Sequence, residues 1–126
     1  MSICTTPMCD DGKASVERMR ATFDNLSNTN PAFQRARFEP TVVSIETSFQ
    51  AEWSWYDDLI PFNPVCCTIA DIGSAADTLT NQMLASIGAA PVEPISKPTS
   101  PFDSITILAG VAIAAYLFVN IYHSRH

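Results

Sequence analysis

Near its C-terminus the chain contains 21 consecutive residues without a formal charge, Ser104 to Ser124, and no other feature restricts the possible folds as strongly. From Ile105 to Val119 every residue except Thr106 and Tyr116 is aliphatic, alanine, glycine or phenylalanine. A helix of this length spans about 30 Å, the thickness of a bilayer's hydrocarbon core, and satisfies its own backbone hydrogen bonds. The rest of the chain is too small to cover such a helix on every side. The sequence therefore predicts one transmembrane helix over 104–124, followed by a short tail, 125–126.

One face of the predicted transmembrane helix carries small side chains four residues apart, namely Thr106, Gly110 and Ala114. Small residues at this spacing let two helices approach closely in lipid. The pattern predicts that this face packs against a neighbouring membrane helix. The alternative is that it only reflects how common Ala and Gly are in membrane helices.

Targeting signals at the N-terminus are weak. Residues 1–25 have no apolar core of the kind found in secretory signal peptides, and acidic residues interrupt the basic ones. We therefore expect insertion after synthesis, as in tail-anchored proteins, or import by an internal signal. The basic flanks, Lys97 and Arg125, do not decide the orientation. Because the short tail is the easier end to translocate, our hypothesis places the N-terminal region on the side of synthesis or import.

A proline-rich segment, 90–103, separates the predicted membrane helix from the residues before it. Its prolines are Pro91, Pro94, Pro98 and Pro101. Proline at every third or fourth position prevents an α-helix and favours an extended chain. The segment is predicted to be an extended spacer that is able to lie along a partner's surface, and the alternative is a proline-motif ligand.

Two segments of the region 1–89 have clear amphipathic helical patterns. The first runs from Lys13 to Leu26, with Asp11 as the expected cap, and a polar connector containing Arg35 and Arg37 is expected to follow it. The second runs from Val65 to Ile87 and is expected to stop at Gly88. The predicted buried stripes are Val16, Met19, Phe23 and Leu26 in the first helix, and Ile69, Ile72, Ala76, Leu79, Met83 and Ile87 in the second. The polar face of the second helix is expected to comprise Asp71, Ser74, Asp77, Thr78, Asn81 and Gln82.

Residues 41–60 fit two patterns. Alternation of apolar and polar residues is typical of a strand, whereas apolar residues also recur at helical intervals from Val42 to Ile60. Pro40 suits a first helical turn and Pro61 suits a stop. Because the chain contains no second strand of similar quality, we predict a helix. The alternative is a strand added to the sheet of another subunit.

The chain has a net charge of -6, and residues 38–96 contain eight acidic residues and no Lys or Arg. This distribution argues against nucleic acid as a partner, because phosphate binding requires clustered positive charge. The acidic block suits either a basic surface on a protein partner or simple solvation.

Cysteine spacing gives little support for a metal site. Cys4 and Cys9 are separated by four residues, and Cys66 and Cys67 are adjacent, which matches no zinc-ribbon, redox or haem-attachment motif. We expect free or buried thiols, with structural zinc and a Cys4–Cys9 disulfide as the alternatives.

Aromatic and acidic residues are densest between Phe49 and Asp58. Phe49, Trp53, Trp55 and Tyr56 are predicted to form a contact surface for a protein partner, because aromatic side chains anchor interfaces. Asp57 and Asp58 are an unsuitable catalytic pair, because adjacent residues on a helix point apart. The two histidines, His123 and His126, lie at the end of the chain and are not expected to bind a metal or a pigment.

These features predict a mostly α-helical protein with short amphipathic helices in 1–89, an extended linker over 90–103 and one C-terminal transmembrane helix. The predicted function is that of a non-catalytic, single-pass accessory or structural subunit of a larger membrane complex. Small single-span subunits without presequences are common in the energy-converting complexes of the mitochondrial inner membrane, the respiratory chain and ATP synthase, so this is the favoured location. Expected partners are other subunits and the lipid bilayer, with no cofactor, nucleic acid or small-molecule substrate. The alternatives are a tail-anchored adaptor and a membrane-associated structural protein of a lipid-containing virion.

Overall fold

The computed structural model describes residues 4–56 and 64–96, which form three α-helices. They are α1 (Thr6–Thr29), α2 (Arg35–Trp53) and α3 (Val65–Ser86). Neither described range contains a strand. The predicted mostly helical class is therefore confirmed for this part of the chain.

Within the two described ranges, none of the helices has the length and apolar character that crossing a membrane requires. The predicted transmembrane helix over 104–124, its packing face of Thr106, Gly110 and Ala114, and the tail 125–126 all lie outside the described residues.

Helix α1 begins earlier than the sequence pattern predicted. Thr5 occupies the N-cap position and Pro7 lies in the first turn, where a fixed φ and a missing N–H group are tolerated. Asp11 therefore lies inside the helix, and its predicted capping role is wrong. The predicted stripe of Val16, Met19, Phe23 and Leu26 is buried, as expected.

Helix α2 confirms the helical prediction for residues 41–53, and the strand alternative for those residues is wrong. The helix starts at Arg35, so Pro40 lies inside it and the predicted connector containing Arg35 and Arg37 belongs to its first turn. Packing explains this start, because Phe38 is buried and its ring stacks on Phe33 with centroids 5.4 Å apart. Residues 57–60 of the predicted segment lie outside the described ranges.

Helix α3 ends as the sequence predicted. Gly88 adopts a φ of 75°, a left-handed conformation that favours glycine. The N–H groups of Gly88 and Ala89 donate to the carbonyls of Ala85 and Leu84, at 3.1 and 2.9 Å. These two bonds form a Schellman motif, which satisfies carbonyl groups that the helix leaves unpaired.

Contacts between the helices establish that α1 and α3 are parallel and that α2 runs antiparallel to both. Along α1, Cys9 is bonded to Cys66 and Ser15 to Asp77, so the two sequences advance together. Along α2 the order reverses, because Lys13 lies over the Trp53 ring whereas Arg20 pairs with Glu46. The start of α1, the start of α3 and the end of α2 therefore share one end of the bundle, named the disulfide end below.

Two disulfides close this end. Cys4 is bonded to Cys67 and Cys9 to Cys66, with Cα–Cα distances of 5.2 and 4.6 Å. The expectation of free thiols is therefore wrong, and so is the Cys4–Cys9 alternative. Adjacent cysteines serve two bridges because Cys66 faces the core while Cys67 faces the segment that precedes α1.

Helices α1 and α3 are in close backbone contact at two glycines, Gly12 and Gly73. A Cβ atom added at Gly73 would lie 2.6 Å from the Cα atom of Gly12, far inside van der Waals contact. A Cβ atom added at Gly12 would collide with the backbone of Ile69. The crossing therefore depends on the absence of side chains at both positions.

Candidate functional site

The predicted aromatic surface lies at the disulfide end, and the structure divides it into a buried and an exposed part. Phe49 is 5% exposed and packs in the core, so it is not itself available to a partner. The Trp53 ring lies between those of Phe49 and Tyr56, with centroid distances of 5.4 and 4.6 Å. Trp55 projects from the end of α2 and is 77% exposed. Of the four predicted residues, Trp55 therefore offers the largest free apolar surface.

A groove of about 520 Å³ runs between α1 and α2, beside this aromatic stack. Phe49, Trp53 and Val16 contribute apolar surface to it. Its charged residues are Lys13, Glu17, Arg20, Asp24 and Glu46.

Ion pairs organise the groove's charges. Arg20 bonds to Glu46 across the groove and to Asp24 on its own helix. Bonding to Glu46 raises the pKa of the Arg20 guanidinium above its ordinary value, so the cation persists at every physiological pH. Each of the five charged side chains takes part in an ion pair within the chain, and together they carry a net charge of -1, so none of them is left unpaired to select a ligand.

A second polar centre joins the helices to the segment 92–96, named the strap below. The strap runs back along α3, antiparallel to it. Both polar groups of the Asn81 side chain bond to the backbone of Val92, the Oδ1 atom accepting at 2.8 Å and the Nδ2 atom donating at 3.0 Å. One side chain thus pairs with the strap's backbone as a neighbouring strand would.

Asp77 holds the far end of the strap. Its Oδ2 atom accepts from the backbone N–H groups of Ile95 and Ser96, at 2.8 and 2.9 Å, and from the Ser15 hydroxyl at 3.0 Å. Its Oδ1 atom accepts from Arg18 at 2.8 Å. Arg18 in turn donates to the Glu93 carbonyl at 2.9 Å. Four hydrogen-bond donors, one of them cationic, offset the free-energy cost of burying the Asp77 carboxylate.

The exposed polar face predicted for α3 is therefore partly wrong. Ser74 and Asp77 are 4% and 2% exposed, because the strap covers them. Asn81 is half-buried and bonded to the strap. The described part of the linker, 90–96, is not helical, and it contacts the chain's own helices.

Replacing Asp77 with asparagine is expected to release the strap. The amide of asparagine removes the ion pair with Arg18 and presents an N–H donor to groups that are themselves donors. We expect the strap to lose about 3 kcal/mol of stabilising free energy. Hydrogen exchange should then accelerate at the amides of Ile95 and Ser96. Asp10→Asn, which makes the same chemical change at an exposed position of α1, should leave that exchange unchanged. Unchanged exchange in the Asp77 variant would show that this carboxylate does not hold the strap.

Among residues 4–56 and 64–96, no group of three or more His, Cys, Asp or Glu side chains is arranged to hold a metal ion. The buried polar groups described, such as Ser15, Asp77 and Ser96, bond to one another around the strap. The two histidines of the sequence, at 123 and 126, lie outside the described residues.

Comparison with protein-family models, with curated proteins and with solved structures finds no match to this chain. The geometry of the disulfide end, the strap and the aromatic residues therefore carries the functional argument.

Sequence reasoning missed the residues that hold the strap. A weak signal was present, since Asp77 and Asn81 are four residues apart and therefore lie on one side of α3. An extended, proline-rich segment leaves backbone groups unpaired, and such groups need acceptors and donors from side chains. Treating both observations together would have predicted that the linker returns to the helix.

Proposed function

We propose that this chain is a non-catalytic, single-pass accessory subunit of a larger membrane complex, built as a disulfide-closed helical head on a C-terminal membrane helix. The observation that carries the proposal is the path of the chain. The strap runs along α3 toward the disulfide end, and its last described residue, Ser96, lies beside Ser15 and Gly73 near the middle of α1 and α3. Seven residues separate Ser96 from the uncharged segment 104–124. Such a connection suits a head held close to a membrane.

A structural role fits the way in which the chain uses its buried polar groups. Asp77 and Arg18 bond to the backbone of the strap, which joins the head to the predicted anchor, and Ser15 bonds to Asp77 and to the Ser96 hydroxyl. These contacts position the strap, and the small apolar core is closed by covalent bonds. Small domains with limited cores often depend on disulfides in this way.

The two disulfides support a location for the head on an oxidising side of the membrane. This modifies the hypothesis that the head stays where the chain is synthesised. In the favoured mitochondrial setting, the head would lie in the intermembrane space and the helix in the inner membrane. Within the membrane, we propose that the face of Thr106, Gly110 and Ala114 packs on a helix of another subunit.

The disulfides also favour one alternative function, a structural protein of a lipid-containing virion, over another, a tail-anchored adaptor. A structural protein of a lipid-containing virion is exposed to oxidising surroundings, and it would benefit from the same covalent closure. A tail-anchored adaptor with its head in the cytosol would face a reducing environment, in which such bonds are rare.

Native-gel migration of the endogenous protein after extraction with a mild detergent tests the proposal. We expect the chain to co-migrate with a complex much larger than its own mass of 13.7 kDa, and mass spectrometry of that band would identify the partners. Migration as a monomer or small oligomer would contradict the accessory-subunit proposal. Recovery among the proteins of an enveloped particle would favour the virion candidate instead.

A further inference from the structure

From the geometry of the disulfide end we infer a binding surface for the lipid interface: Trp55, supported by Trp53 and Tyr56, inserts among the headgroups of the membrane that the chain spans. This inference rests on the proposed function, because it requires the membrane helix over 104–124. It deepens that proposal by assigning the orientation of the head and the residue that sets it.

The strap runs toward the end of the bundle that carries the aromatic residues. The hydroxyl of Ser96 lies 2.9 Å from that of Ser15, whereas Lys13 lies 5.3 Å from the centre of the Trp53 ring. Lys13 and Ser15 are separated by about 3 Å along α1, since a helix rises about 1.5 Å per residue. The strap, which passes from Asn81 to Ser15, is therefore directed toward the end of the bundle that carries the aromatic residues.

A second observation is the length of the tether. Ser96 is buried and bonded to Asp77, so the free chain begins only after it. Seven residues separate Ser96 from Ser104, and they reach at most about 25 Å when fully extended. The head therefore cannot move far from the bilayer, and the described part of the strap is directed toward the disulfide end.

A third observation is the chemistry of the exposed side chains. Trp and Tyr are enriched at membrane–water interfaces, because each combines an apolar ring with a polar group that prefers water or headgroups. Trp55 is 77% exposed, the largest exposed fraction among the large apolar side chains of the described residues. The rings of Trp53 and Tyr56 contact each other, and Trp53 also packs against buried Phe49, so the Trp55 side chain projects from a well-packed part of the head.

Charge selects the type of lipid. Asp10 and Asp11 are exposed on α1 near the disulfide end, where Lys13 lies over the Trp53 ring. The excess of negative charge among these three residues does not favour an anionic bilayer. We therefore assign the site to zwitterionic headgroups, such as phosphatidylcholine.

The experiment uses the full chain reconstituted in phosphatidylcholine vesicles, some containing lipids brominated near the headgroup. Trp53 and Trp55 are the only tryptophans, so the variant Trp53→Phe reports Trp55 alone and Trp55→Phe reports Trp53 alone. We expect bromolipid to remove most of the Trp55 emission and little of the Trp53 emission. If Trp53→Phe does not fold, subtracting the Trp55→Phe spectrum from that of the unaltered chain isolates the same signal.

Retention of the vesicle-bound chain after an alkaline wash separates the two proposals. A retained chain whose Trp55 emission ignores bromolipid but is quenched by aqueous acrylamide would overturn the inference, leave the membrane anchor intact and indicate a protein contact for Trp55. A chain lost in the wash would overturn the anchor and, with it, the lipid contact. A retained chain with bromolipid-quenched Trp55 supports both.

Discussion

Removing both disulfides is expected to unfold the helical head, whereas removing either one is expected to weaken it only moderately. The bridges join Cys4 to Cys67 and Cys9 to Cys66, so they close nearly the same long loop. While one remains, the other closes only a small additional ring, and its loss costs about 2 kcal/mol in chain entropy. Losing both opens a loop of about 60 residues and costs about 6 kcal/mol, comparable with the whole stability of a domain of this size.

Urea denaturation of the full chain in a mild non-ionic detergent, followed by tryptophan fluorescence, measures this difference. Paired Cys→Ala substitutions remove one bridge at a time and serve as matched controls for the variant that lacks all four thiols. A four-alanine variant that keeps the stability of the paired variants would contradict the account. Unfolding after the loss of a single bridge would also contradict it, because it would show that one bridge cannot compensate for the loss of the other.

Replacing Gly73 with alanine is expected to destabilise the head by about 3 kcal/mol, although alanine is the better helix former by about 1 kcal/mol. The added methyl group would collide with the Cα atom of Gly12 and with the Ser96 hydroxyl. The helices cannot separate easily to relieve this contact, because the Cys9–Cys66 bridge fixes α1 to α3 less than two turns away. The strap should loosen at the same time, since Ser96 is one of the groups displaced.

Gly88→Ala is the matched control for this variant. A Cβ atom there meets no other atom within 4 Å, and the cost comes only from the left-handed backbone, at about 1 kcal/mol. Urea denaturation under the same detergent conditions compares the two variants. If Gly73→Ala proves no more destabilising than Gly88→Ala, the close crossing of α1 and α3 is wrong.

Periodicity predicted those parts of the fold that depend on local pattern. The stripe from Val16 to Leu26 is buried because those residues share one side of α1, and Gly88 ends α3 because few other residues adopt its backbone conformation. The prediction of a helix rather than a strand for residues 41–53 was also correct. Each of these features is determined by neighbours within a few residues in the sequence.

Features that depend on distant contacts were missed. The start of α2 at Arg35 follows from packing against α1. Phe38 stacks on Phe33, and Phe33 packs against Phe23 of α1 with ring centroids 6.0 Å apart, which outweighs the preference of Pro40 for a first turn. The pairing of Cys9 with Cys66 requires α1 and α3 to be parallel, and spacing alone does not reveal that arrangement.

The same distinction between local pattern and distant contacts applies to the candidate site. Local sequence identified the aromatic residues, but only tertiary packing separates buried Phe49 from exposed Trp55. Asp77 was assigned to solvent because the return of the strap along α3 is a contact between residues about 20 positions apart.

The redox state of the four cysteines in the cell tests most directly whether the head is closed by disulfides and lies on the oxidising side of a membrane. Endogenous protein in sealed native membranes would be treated with a permeant maleimide, digested without reductant and analysed by mass spectrometry. The account predicts no maleimide on any cysteine, and a peptide carrying Cys4 and Cys9 that stays joined to the peptide carrying Cys66 and Cys67 until reductant is added. Maleimide on all four cysteines before reduction would contradict the closed head and place it in a reducing compartment.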